Sequence, residues 1–558
     1  MELIGMCYSG KVMDHLGLIA GMVDELGIVD VIDDAISQDH EKRYLSIGQT
    51  IKALIINGLG FTGRPMYLTP QFFATKPTEL LIGKGVKAEH LNENTIGRAM
   101  DSLYKHGVST LFSLISSRAF NALKLQPQFA HLDSTSFSVH GNGYEPSDKF
   151  IMTDDKGNET RPSVIEITQG YSKDHRPDLS QLMLNMIVEN HAGIPMAIEA
   201  LSGNSSDKAT FAQTVSKYTS MISTQTTQST VIADSALYSK ENLAILKQSK
   251  LHWITRVPET MTESKEAIEN TQLKDMTQYS SDERYKYKTM ESTYGDVAQN
   301  WVVVYSTEAR ERTIKTLSRR YTKLSDSEHI QMSKLEKERF SCEAEALKAT
   351  LRLTKSLKLT TMQTKITPLA KYSKAGRPAK GEKPQIIEYA ITCTSRFSSL
   401  ERYQQELHKG SCFILASNNR TKSPEEIMEG YQNQYKVERG FAFLKSKEFL
   451  TDAIFLKSPE RIEALLMIMA LCLMVYTALE YRIRNELQNH KETFRDQKGK
   501  PTVKPTARWV FQCFEGIQYL LIHELNKSLI LNLNDDQKRI ISLLGKHYEK
   551  IYFLGDGV

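Results

Sequence analysis

Residues 129–137, FAHLDSTSF, are the stretch that decides the fold. Apolar and polar residues alternate along its length, which is typical of a β-strand with one buried face. Asp133 interrupts the apolar part of this strand. A buried carboxylate is costly unless it is hydrogen-bonded, paired with a cation or bound to a metal ion. We therefore interpret this segment as a core strand that carries a functional carboxylate.

The segments that follow continue an α/β pattern. The expected elements are strands at 164–171, 182–188, 194–200, 229–234 and 252–257 and helices at 206–222 and 240–248. The short apolar strand at 229–234 ends in a second carboxylate, Asp234. Strands and helices in this order predict an α/β domain with a mixed sheet.

A third carboxylate stands on a helix that begins near Ser423. Ser423 is a suitable N-cap, Pro424 suits the first helical position, and Glu426 completes a capping box. The helix is predicted to run to about Lys447. Spacings of 3, 4, 3 and 4 place five residues on one of its faces, namely Tyr431, Gln434, Glu438, Phe441 and Lys445. A Tyr, a Glu and a Lys on one stripe indicate a face that borders a polar cleft.

Four glutamates on or just after this helix could supply the third acid, namely Glu426, Glu429, Glu438 and Glu448. At about 100° per residue, Glu429 lies on the opposite face from Glu438, and Glu448 lies about 80° away near the helix end. Glu426 is already engaged in the capping box. Glu438 alone shares the stripe of Tyr431 and Lys445, so we assign it as the third acid.

Carboxylates are the ligands that hard cations such as Mg²⁺ and Mn²⁺ prefer. Two such ions about 3.5–4 Å apart can activate a water or hydroxyl group and stabilise the leaving oxygen in phosphoryl transfer. Asp133, Asp234 and Glu438 are therefore expected to be the catalytic residues and to bind two Mg²⁺ (or Mn²⁺) ions. Either aspartate alone could instead be a turn or capping residue.

The ordered set of acids resembles that of bacterial insertion-sequence transposases of the DDE type, which have an RNase H-like core. The match is to the subgroup with a Tyr-x2-Arg-x3-Glu-x6-Lys signature, here Tyr431, Gln434, Glu438 and Lys445. The stretches DST from Asp133 and ADSA around Asp234 resemble the contexts of the first and second acids. Residues 170–179 and the Gly203-Asn204 pair also resemble this group, and the resemblance covers most of the chain.

The resemblance implies metal-dependent cleavage of DNA strands at the ends of an insertion element, followed by strand transfer into target DNA. The partners would be terminal inverted repeats and target DNA, with a homodimer in the DNA complex and no membrane. Asp133 would lie on the first core strand, Asp234 just after the fourth, and Glu438 on a late helix. The residues expected to contact DNA phosphates are Tyr431, Gln434, Lys445, Lys173 and Arg176.

Gln434 departs from the pattern, because the family usually has Arg at this position. A glutamine can hydrogen-bond to a phosphate but brings no positive charge. Lys436 and Arg439 are nearby cations, but helical geometry places both off the stripe that carries Glu438.

The chain is predicted to have five parts. They are a helical N-terminal DNA-binding domain at 1–120, the RNase H-like core at 121–257 and 411–485, an insertion domain at 258–410, and a C-terminal helical region at 486–558. The helical N-terminal region could instead be a docking or dimerisation domain. The insertion explains the 204 residues (438 − 234) that separate the second acid from the third. Because the core chemistry acts on any phosphodiester, the reading of DNA sequence is assigned chiefly to residues 1–120.

Composition is that of a globular protein with a sizeable core. The 558 residues are 40% hydrophobic and 25% charged, with a net charge of +5 that permits a polyanionic partner. Six cysteines without a CxxC pair exclude a disulfide scaffold and a zinc ribbon. The longest apolar run, residues 464–479, is shorter than the roughly 20 residues of a membrane span, and we interpret it as a buried core helix. A cytoplasmic location is expected, with the protein on the nucleoid when bound to DNA.

Two other functions are open from the residues. One is a catalytically inactive or repurposed relative that binds specific DNA sequences; the presence of all three acids counts against it. The other is an aspartic protease, because Asp133-Ser134-Thr135 and Asp234-Ser235-Ala236 superficially resemble its motifs. Both stretches lack the glycine of those motifs. A basic loop at 371–380 could lie in a DNA minor groove or serve as a linker.

Overall fold

The computed structural model describes residues 8–38, 44–61, 66–141, 143–150, 152–153, 159–160, 163–172, 176–222, 229–372, 380, 383–384, 386–397, 400–446, 456–523, 525 and 527–553. Lys173, most of the basic loop at 371–380 and Glu448 lie outside these residues. The chain divides into two compact units. The first comprises Met1–Arg256, Thr293–Gln299 and Ser417–Val558, and the second comprises Val257–Ser292 and Asn300–Ala416.

The strands are β1 (Tyr8–Val12), β2 (Phe129–Val139), β3 (Met152–Thr153), β4 (Glu159–Thr160), β5 (Ser180–Glu189), β6 (Pro195–Ser202), β7 (Thr230–Ala233), β8 (Trp253–Arg256), β9 (Thr277–Gln278), β10 (Tyr285–Tyr294), β11 (Val297–Ser306), β12 (Thr360–Lys371), β13 (Ile386–Phe397), β14 (Cys412–Ser417), β15 (Phe494–Arg495), β16 (Pro501–Thr502), β17 (Gln518–Ile522) and β18 (Lys527–Leu531). The helices are α1 (Leu16–Glu25), α2 (Ile28–Ala35), α3 (Ile47–Leu59), α4 (Thr69–Ala74), α5 (Thr78–Leu81), α6 (Glu93–His106), α7 (Val108–Leu123), α8 (Asp207–Ile222), α9 (Lys240–Gln248), α10 (Thr262–Glu269), α11 (Thr307–Lys337), α12 (Glu343–Ser356), α13 (Leu400–Ser411), α14 (Pro424–Gln432), α15 (Tyr435–Leu444), α16 (Pro459–Asn489), α17 (Ala507–Cys513), α18 (Asp535–Leu544) and α19 (Lys546–Tyr552).

The core of the first unit is a mixed sheet with strand order β6-β5-β2-β7-β8. β5 runs antiparallel to β2 and to β6, whereas β7 runs parallel to both β2 and β8. Three antiparallel strands followed by two parallel ones form the RNase H-like arrangement that the sequence predicts, so the expected fold class is confirmed. The expected segments at 182–188, 194–200 and 252–257 are β5, β6 and β8.

The two faces of this sheet are covered by different helices. Asp207, at the start of α8, accepts a hydrogen bond from Ser134 Oγ at 2.5 Å, and Thr214 on α8 accepts one from Asn185 Nδ2 at 2.9 Å. Ser134 and Asn185 are opposite each other on β2 and β5, so α8 lies on their face. α15 contacts β2 and β5 from the other side. Asp133 belongs to that second face, because successive side chains along a strand alternate.

Helix α16 is the central helix of the first unit. Its residues 464–475 are buried without exception, and α1, α3, α6 and α7 all pack against it. Among the described residues it is the one helix long and apolar enough to cross a membrane, but 83% of its most apolar window is buried inside the protein. The expected core helix at 464–479 is therefore confirmed. Removal of the N-terminal helices would expose this apolar surface to water.

Both ends of the chain contain strands where the sequence analysis predicted only helices. β1, in the segment 1–120, pairs with β17, which also pairs with β18. β15 and β16 pair with each other, so the described part of the region 486–558 contains α17–α19 together with the strands β15–β18. Residues 518–522 and 527–531 are mostly β-branched or aliphatic residues on either side of a short turn, which favours a hairpin over a helix.

The segment 164–171 is not a strand, contrary to the sequence interpretation. Thr168 makes a single bridge to Gln181. Other backbone groups bind side chains instead of a neighbouring strand: the amide of Ile165 donates to Glu463 Oε1 at 3.2 Å, and the amide of Glu166 donates to Ser202 Oγ at 3.0 Å. With these two amides bonded to side chains, the segment does not continue as a regular strand.

The second unit combines a sheet of order β14-β11-β10-β9, the long hairpin β12-β13 and helices α10–α13. Helices α11 and α12 are separated by residues 338–342. The break occurs because Phe340 leaves the helical path and exchanges two backbone hydrogen bonds with Tyr389 on β13, at 3.1 and 2.9 Å. Met332, Leu335, Ala346, Met362 and Ile391 form the apolar centre between these helices and the hairpin.

Candidate active site

Asp133 and Asp234 lie at the same level of two adjacent parallel strands. His131 on β2 is paired with Ile232 on β7. Asp133 comes two residues after His131, and Asp234 comes two residues after Ile232. Because side chains two residues apart share a face, both carboxylates leave the face that α15 covers. The fold therefore places side by side two acids that are far apart in the sequence.

Local hydrogen bonds orient both carboxylates. Asp133 Oδ1 accepts from the amide of Ser134 at 2.8 Å, and Asp234 Oδ1 accepts from the amide of Ala236 at 2.8 Å. Asp234 is thus the N-cap of a short 3₁₀ turn, Ser235–Leu237, as the alternative interpretation of this residue suggested. Its carbonyl oxygen also accepts from Thr255 Oγ1 at 2.6 Å, which ties the end of β7 to β8.

Two glycines bring the late helices onto the same face of the sheet. A Cβ at Gly430 of α14 would lie 3.0 Å from Phe129 and 3.1 Å from Ile232. A Cβ at Gly440 of α15 would lie 3.1 Å from Met186, the residue opposite Asp133. The absence of side chains at these positions allows the helices to pack directly over the aspartates.

The helix predicted from Ser423 to about Lys447 is interrupted. The capping box of Ser423 and Glu426 is present as expected, but α14 ends at Gln432 and α15 begins at Tyr435. The amides of Gln434 and Val437 bond three residues back instead of four, to Tyr431 and Gln434, which tightens the backbone at this point. Tyr431 lies on α14 and Glu438 on α15, while Gln434 and Lys445 cap the two ends of α15. The five-residue stripe is therefore not the face of one helix.

Tyr431 connects the second and third acids. Burial raises the pKa of this phenol, the carboxylates of Asp234 and Glu438 raise it further, and Arg256, which hydrogen-bonds to it, lowers it. The Tyr431 hydroxyl is therefore close enough to both acids and to the Arg256 guanidinium to sense their charges. Glu438 itself is exposed on α15.

Arg256 is a site residue that the sequence analysis missed. It is the last residue of β8, the strand next to β7, and it is only partly buried. The available signal was an arginine that ends an apolar strand, in HWITRV at residues 252–257. That position is the counterpart of Asp234 at the end of β7, but a strand-terminal cation by itself is too common to be assigned from sequence.

The donor types at the site suit a divalent cation, although the three acids do not form a closed cluster. Asp133 and Asp234 offer two neighbouring carboxylates, the donors that Mg²⁺ prefers. Within the part of the chain that the structure describes, no group of three or more His, Cys, Asp or Glu residues is close enough together to hold a metal ion. The two aspartates therefore fit a cation as a pair, and the three acids together are not gathered into one cluster in the described residues.

Lys445 lies over the same face of β2 as Asp133. Its Nζ is 5.7 Å from the centroid of the Phe137 ring, and Phe137 follows Asp133 by four residues. Residues four apart on a strand share a face, so this ammonium group lies over the face of β2 that carries Asp133, four residues farther along the strand.

Two cations of the loop after residue 170, Lys173 and Arg176, were predicted to contact DNA. Lys173 lies outside the described residues. Arg176 is exposed and makes a bidentate ion pair with Asp178, with Nε–Oδ1 and Nη2–Oδ2 distances of 2.9 and 2.8 Å. Its charge is thus already opposed by a carboxylate within the same loop.

The residues that could have replaced the missing arginine at position 434 point elsewhere, as helical geometry suggested. Lys436 Nζ donates to the carbonyl oxygens of Asn190 and His191, the latter at 3.1 Å. Lys436 and Arg439 both line a cavity of about 350 Å³ bounded by α15, α16 and the turn after β5. Neither cation supplies the charge that Gln434 lacks.

Gly170 and Gly203, two positions that resemble the transposase group, mark a close approach of backbones. A Cβ at Gly170 would lie 2.0 Å from the carbonyl oxygen of Gly203, and a Cβ at Gly203 would lie 2.1 Å from the carbonyl oxygen of Gln181. Gln181 Nε2 also donates to the Gly203 carbonyl at 2.7 Å. Both positions require glycine because backbone atoms occupy the space of a side chain.

Comparison with known proteins identifies the family. The family described as "Transposase DDE domain" matches residues 124–475. The chain therefore belongs to the DDE-domain transposases. Residues 8–117 match a second family, described as "Domain of unknown function (DUF4277)".

Among solved structures, the chain is similar to a piggyBac transposase in a synaptic complex with hairpin DNA. The sequence identity is 10%, the TM-score is 0.34, and the match covers 96% of this chain and 88% of that chain. No curated protein matches the chain significantly.

Proposed function

We propose that this chain is an active transposase that cleaves DNA strands at the ends of an insertion element and joins them to target DNA. It would use Mg²⁺ or Mn²⁺, act as a homodimer on the DNA and work in the cytoplasm. The observation that carries the proposal is the juxtaposition of Asp133 and Asp234 on adjacent parallel strands, within a chain of the transposase DDE family. Two adjacent carboxylates repel each other, which costs stability. A purely structural role would not require such a pair.

Asp133 and Asp234 would hold the divalent cation, and Glu438 would complete the ligand set. When bound, such ions generate the attacking oxygen nucleophile and stabilise the leaving oxygen. The hydrogen bonds from the amides of Ser134 and Ala236 fix the orientation of the two aspartates before any ligand arrives. A preorganised pair of this kind loses little freedom on binding.

Tyr431, Arg256 and Lys445 would position the phosphate to be cleaved. The Arg256 guanidinium is held by Tyr431 at the end of β8, and Lys445 stands over Phe137 on β2. Arg256 thus lies on β8, next to the strand that leads to Asp234, and Lys445 lies over β2, which carries Asp133. A DNA phosphate near the two carboxylates would therefore meet positive charge. Gln434 would add a hydrogen bond without charge.

The test is strand cleavage by the full chain. Duplexes would carry the genomic DNA that flanks the coding sequence on each side, with a scrambled duplex of equal length as control. We expect nicks at fixed positions in the flanking DNA with Mg²⁺ or Mn²⁺, and none with EDTA. Absence of nicking with either ion would contradict the proposal.

A second candidate is a DNA-binding relative without catalytic activity. The observations that favour it are that, in the described residues, the three acids do not form one cluster, and that Gln434 replaces the signature arginine. This candidate predicts tight binding to the flanking DNA without nicking in either metal. Binding and nicking measured on the same duplex therefore separate the two functions.

A further inference from the structure

Helix α6 presents a polar stripe on the surface of the first unit. Asn94, Arg98, Ser102 and Lys105 follow one another at spacings of 4, 4 and 3, which keeps them within about 80° of each other around the helix. Asn94, Arg98 and Lys105 are exposed. The opposite side of α6 is buried through Ile96, Met100 and Leu103.

Two side chains of this stripe, Asn94 and Arg98, are available for a partner, whereas the Ser102 hydroxyl donates to the Arg98 carbonyl oxygen at 2.9 Å. Among the described residues, neither the Asn94 amide nor the Arg98 guanidinium takes part in a hydrogen bond or ion pair. Asp101, on the flank of the stripe, makes a bidentate ion pair with Arg461 of α16 at 2.7 and 2.9 Å. The helix is therefore held rigidly while its recognition groups remain unused, the arrangement that a binding site on a scaffold needs.

A cavity with cationic walls lies at the carboxyl end of the stripe. Its volume is about 540 Å³, and Lys105, Lys149 and Lys217 line it. Lys105 Nζ lies 5.7 Å from the centroid of the Phe150 ring, and Lys217 pairs with Glu199 at 3.0 Å. Glu463, a further carboxyl group in the wall, is half-buried, and its desolvation raises its pKa to about 7. Lys105 and Lys149 thus provide positive charge that the wall only partly opposes.

We propose that this α6 surface, the exposed stripe together with the cationic cavity at its carboxyl end, binds duplex DNA and reads the terminal repeats. The inference rests on the proposed transposase function and assigns end recognition to particular residues of the N-terminal region. Asn94 and Arg98 carry the amide and guanidinium groups that contact adenine and guanine edges in the major groove. Lys105 and Lys149 carry the ammonium groups that neutralise phosphates.

The dimensions and charges suit this partner. A helix of 14 residues is about 21 Å long, which spans about six base pairs at 3.4 Å each, and the major groove is about 12 Å wide and admits an α-helix. Glu93 lies at least about 100° around the helix from Asn94, Arg98 and Lys105, so its carboxylate is off the stripe. The stripe contains no apolar side chain, which disfavours a protein partner that docks by hydrophobic contact.

The test measures binding by fluorescence anisotropy with the full chain, because the N-terminal helices form one packed unit with α16 and should not be removed. The probes are the flanking-DNA duplex and its scrambled counterpart, at several salt concentrations. We expect Arg98→Ala and Asn94→Ala each to weaken binding to the flanking DNA about tenfold or more, with binding to scrambled DNA nearly unchanged. Lys105→Ala should weaken both equally and lower the salt slope by about one.

Arg118→Ala is the matched control, because Arg118 is an exposed arginine on the neighbouring helix α7, outside the stripe. It should bind like the wild type. If Arg98→Ala and Asn94→Ala keep the full preference while the wild type cleaves the flanking DNA, the recognition surface is elsewhere and the transposase function stands. If the wild type neither prefers nor cleaves that DNA, both the inference and the proposed function are wrong.

Discussion

Asp133 and Asp234 leave the same face of two adjacent parallel strands, each two residues beyond a directly paired residue, His131 and Ile232. Asp133 lies within β2, which continues to Val139, whereas Asp234 lies just past the end of β7. Asp133 is therefore preceded and followed along the chain by residues of the same strand. Asp234 is preceded by a strand and followed by the turn that it caps. This difference in support should make the position of Asp234 depend more on its local turn.

Lys445→Ala should lower strand cleavage more than it lowers binding to the element ends. The ammonium group stands near the strand that carries Asp133, where it would contact the phosphate that reacts. Loss of one phosphate contact lowers the overall affinity for DNA only modestly, because many other phosphate contacts also contribute to that affinity. Cleavage and anisotropy assays on the same duplex measure the two effects.

Lys422→Ala provides the matched comparison for Lys445. Lys422 Nζ also lies over a phenylalanine of β2, 4.8 Å from the Phe129 ring, but at the other end of the strand from Phe137. It should retain wild-type cleavage. Equal cleavage by Lys445→Ala and wild type would show that Lys445 has no role at the reacting phosphate.

Gly203→Ala should destabilise the first unit by about 1–3 kcal/mol or more, because the new Cβ would overlap backbone oxygens that cannot move independently. The thermal unfolding midpoint should fall accordingly. Gly10→Ala is the control, since a Cβ at Gly10 meets nothing within 4 Å. A Gly203→Ala variant as stable as Gly10→Ala would contradict the close backbone approach described above.

Glu463→Gln should stabilise the chain at alkaline pH. The pKa of Glu463 is raised by burial to about 7, from its ordinary value of 4.5. Between these values the folded chain binds a proton that the unfolded chain does not, so stability falls as pH rises from about 4.5 to about 7. The loss is about 3 kcal/mol above pH 7.

The glutamine variant avoids this loss, and its amide oxygen can still accept from the Ile165 amide. Its unfolding midpoint should exceed that of the wild type at pH 8 and approach it near pH 4.5. The exposed Glu515→Gln serves as a control and should match the wild type at both values. A constant difference between Glu463→Gln and wild type across this range would mean that the Glu463 carboxyl does not titrate as stated.

Periodicity was sufficient to predict the core of the fold. Alternation over residues 129–137 and the short apolar segments after it correspond to β2, β5, β6, β7 and β8, because buried strands leave a strong local pattern. The interpretation of the segment 164–171 as a strand was wrong because amides of this segment bond to side chains of other elements, such as Glu463 for Ile165. β1 was missed because its partner, β17, is distant in sequence. The pairs β15–β16 and β17–β18 were also missed, although their strands are close in sequence. The five-part domain division stays a prediction.

The candidate site was only partly accessible from sequence. The motifs located Asp133, Asp234 and Glu438, and the strand register then brought the two aspartates together. The break between Gln432 and Tyr435 could not be predicted, because the sequence there contains neither Pro nor Gly. Arg256 was missed because its role depends on the neighbouring strand and on Tyr431, and not on any local pattern.

The most direct test of the central claim is Mg²⁺-dependent cleavage of the flanking-DNA duplex by Asp133→Asn, Asp234→Asn and Glu438→Gln, with DNA binding measured alongside. All three variants should bind DNA like the wild type and fail to cleave it, because a neutral amide is a poor ligand for a hard cation. Glu426→Gln, at the capping glutamate of α14, should cleave normally. Wild-type cleavage by Glu438→Gln, with loss of cleavage in Glu448→Gln instead, would contradict the assignment of the third acid. Wild-type cleavage by either aspartate variant would contradict the account as a whole.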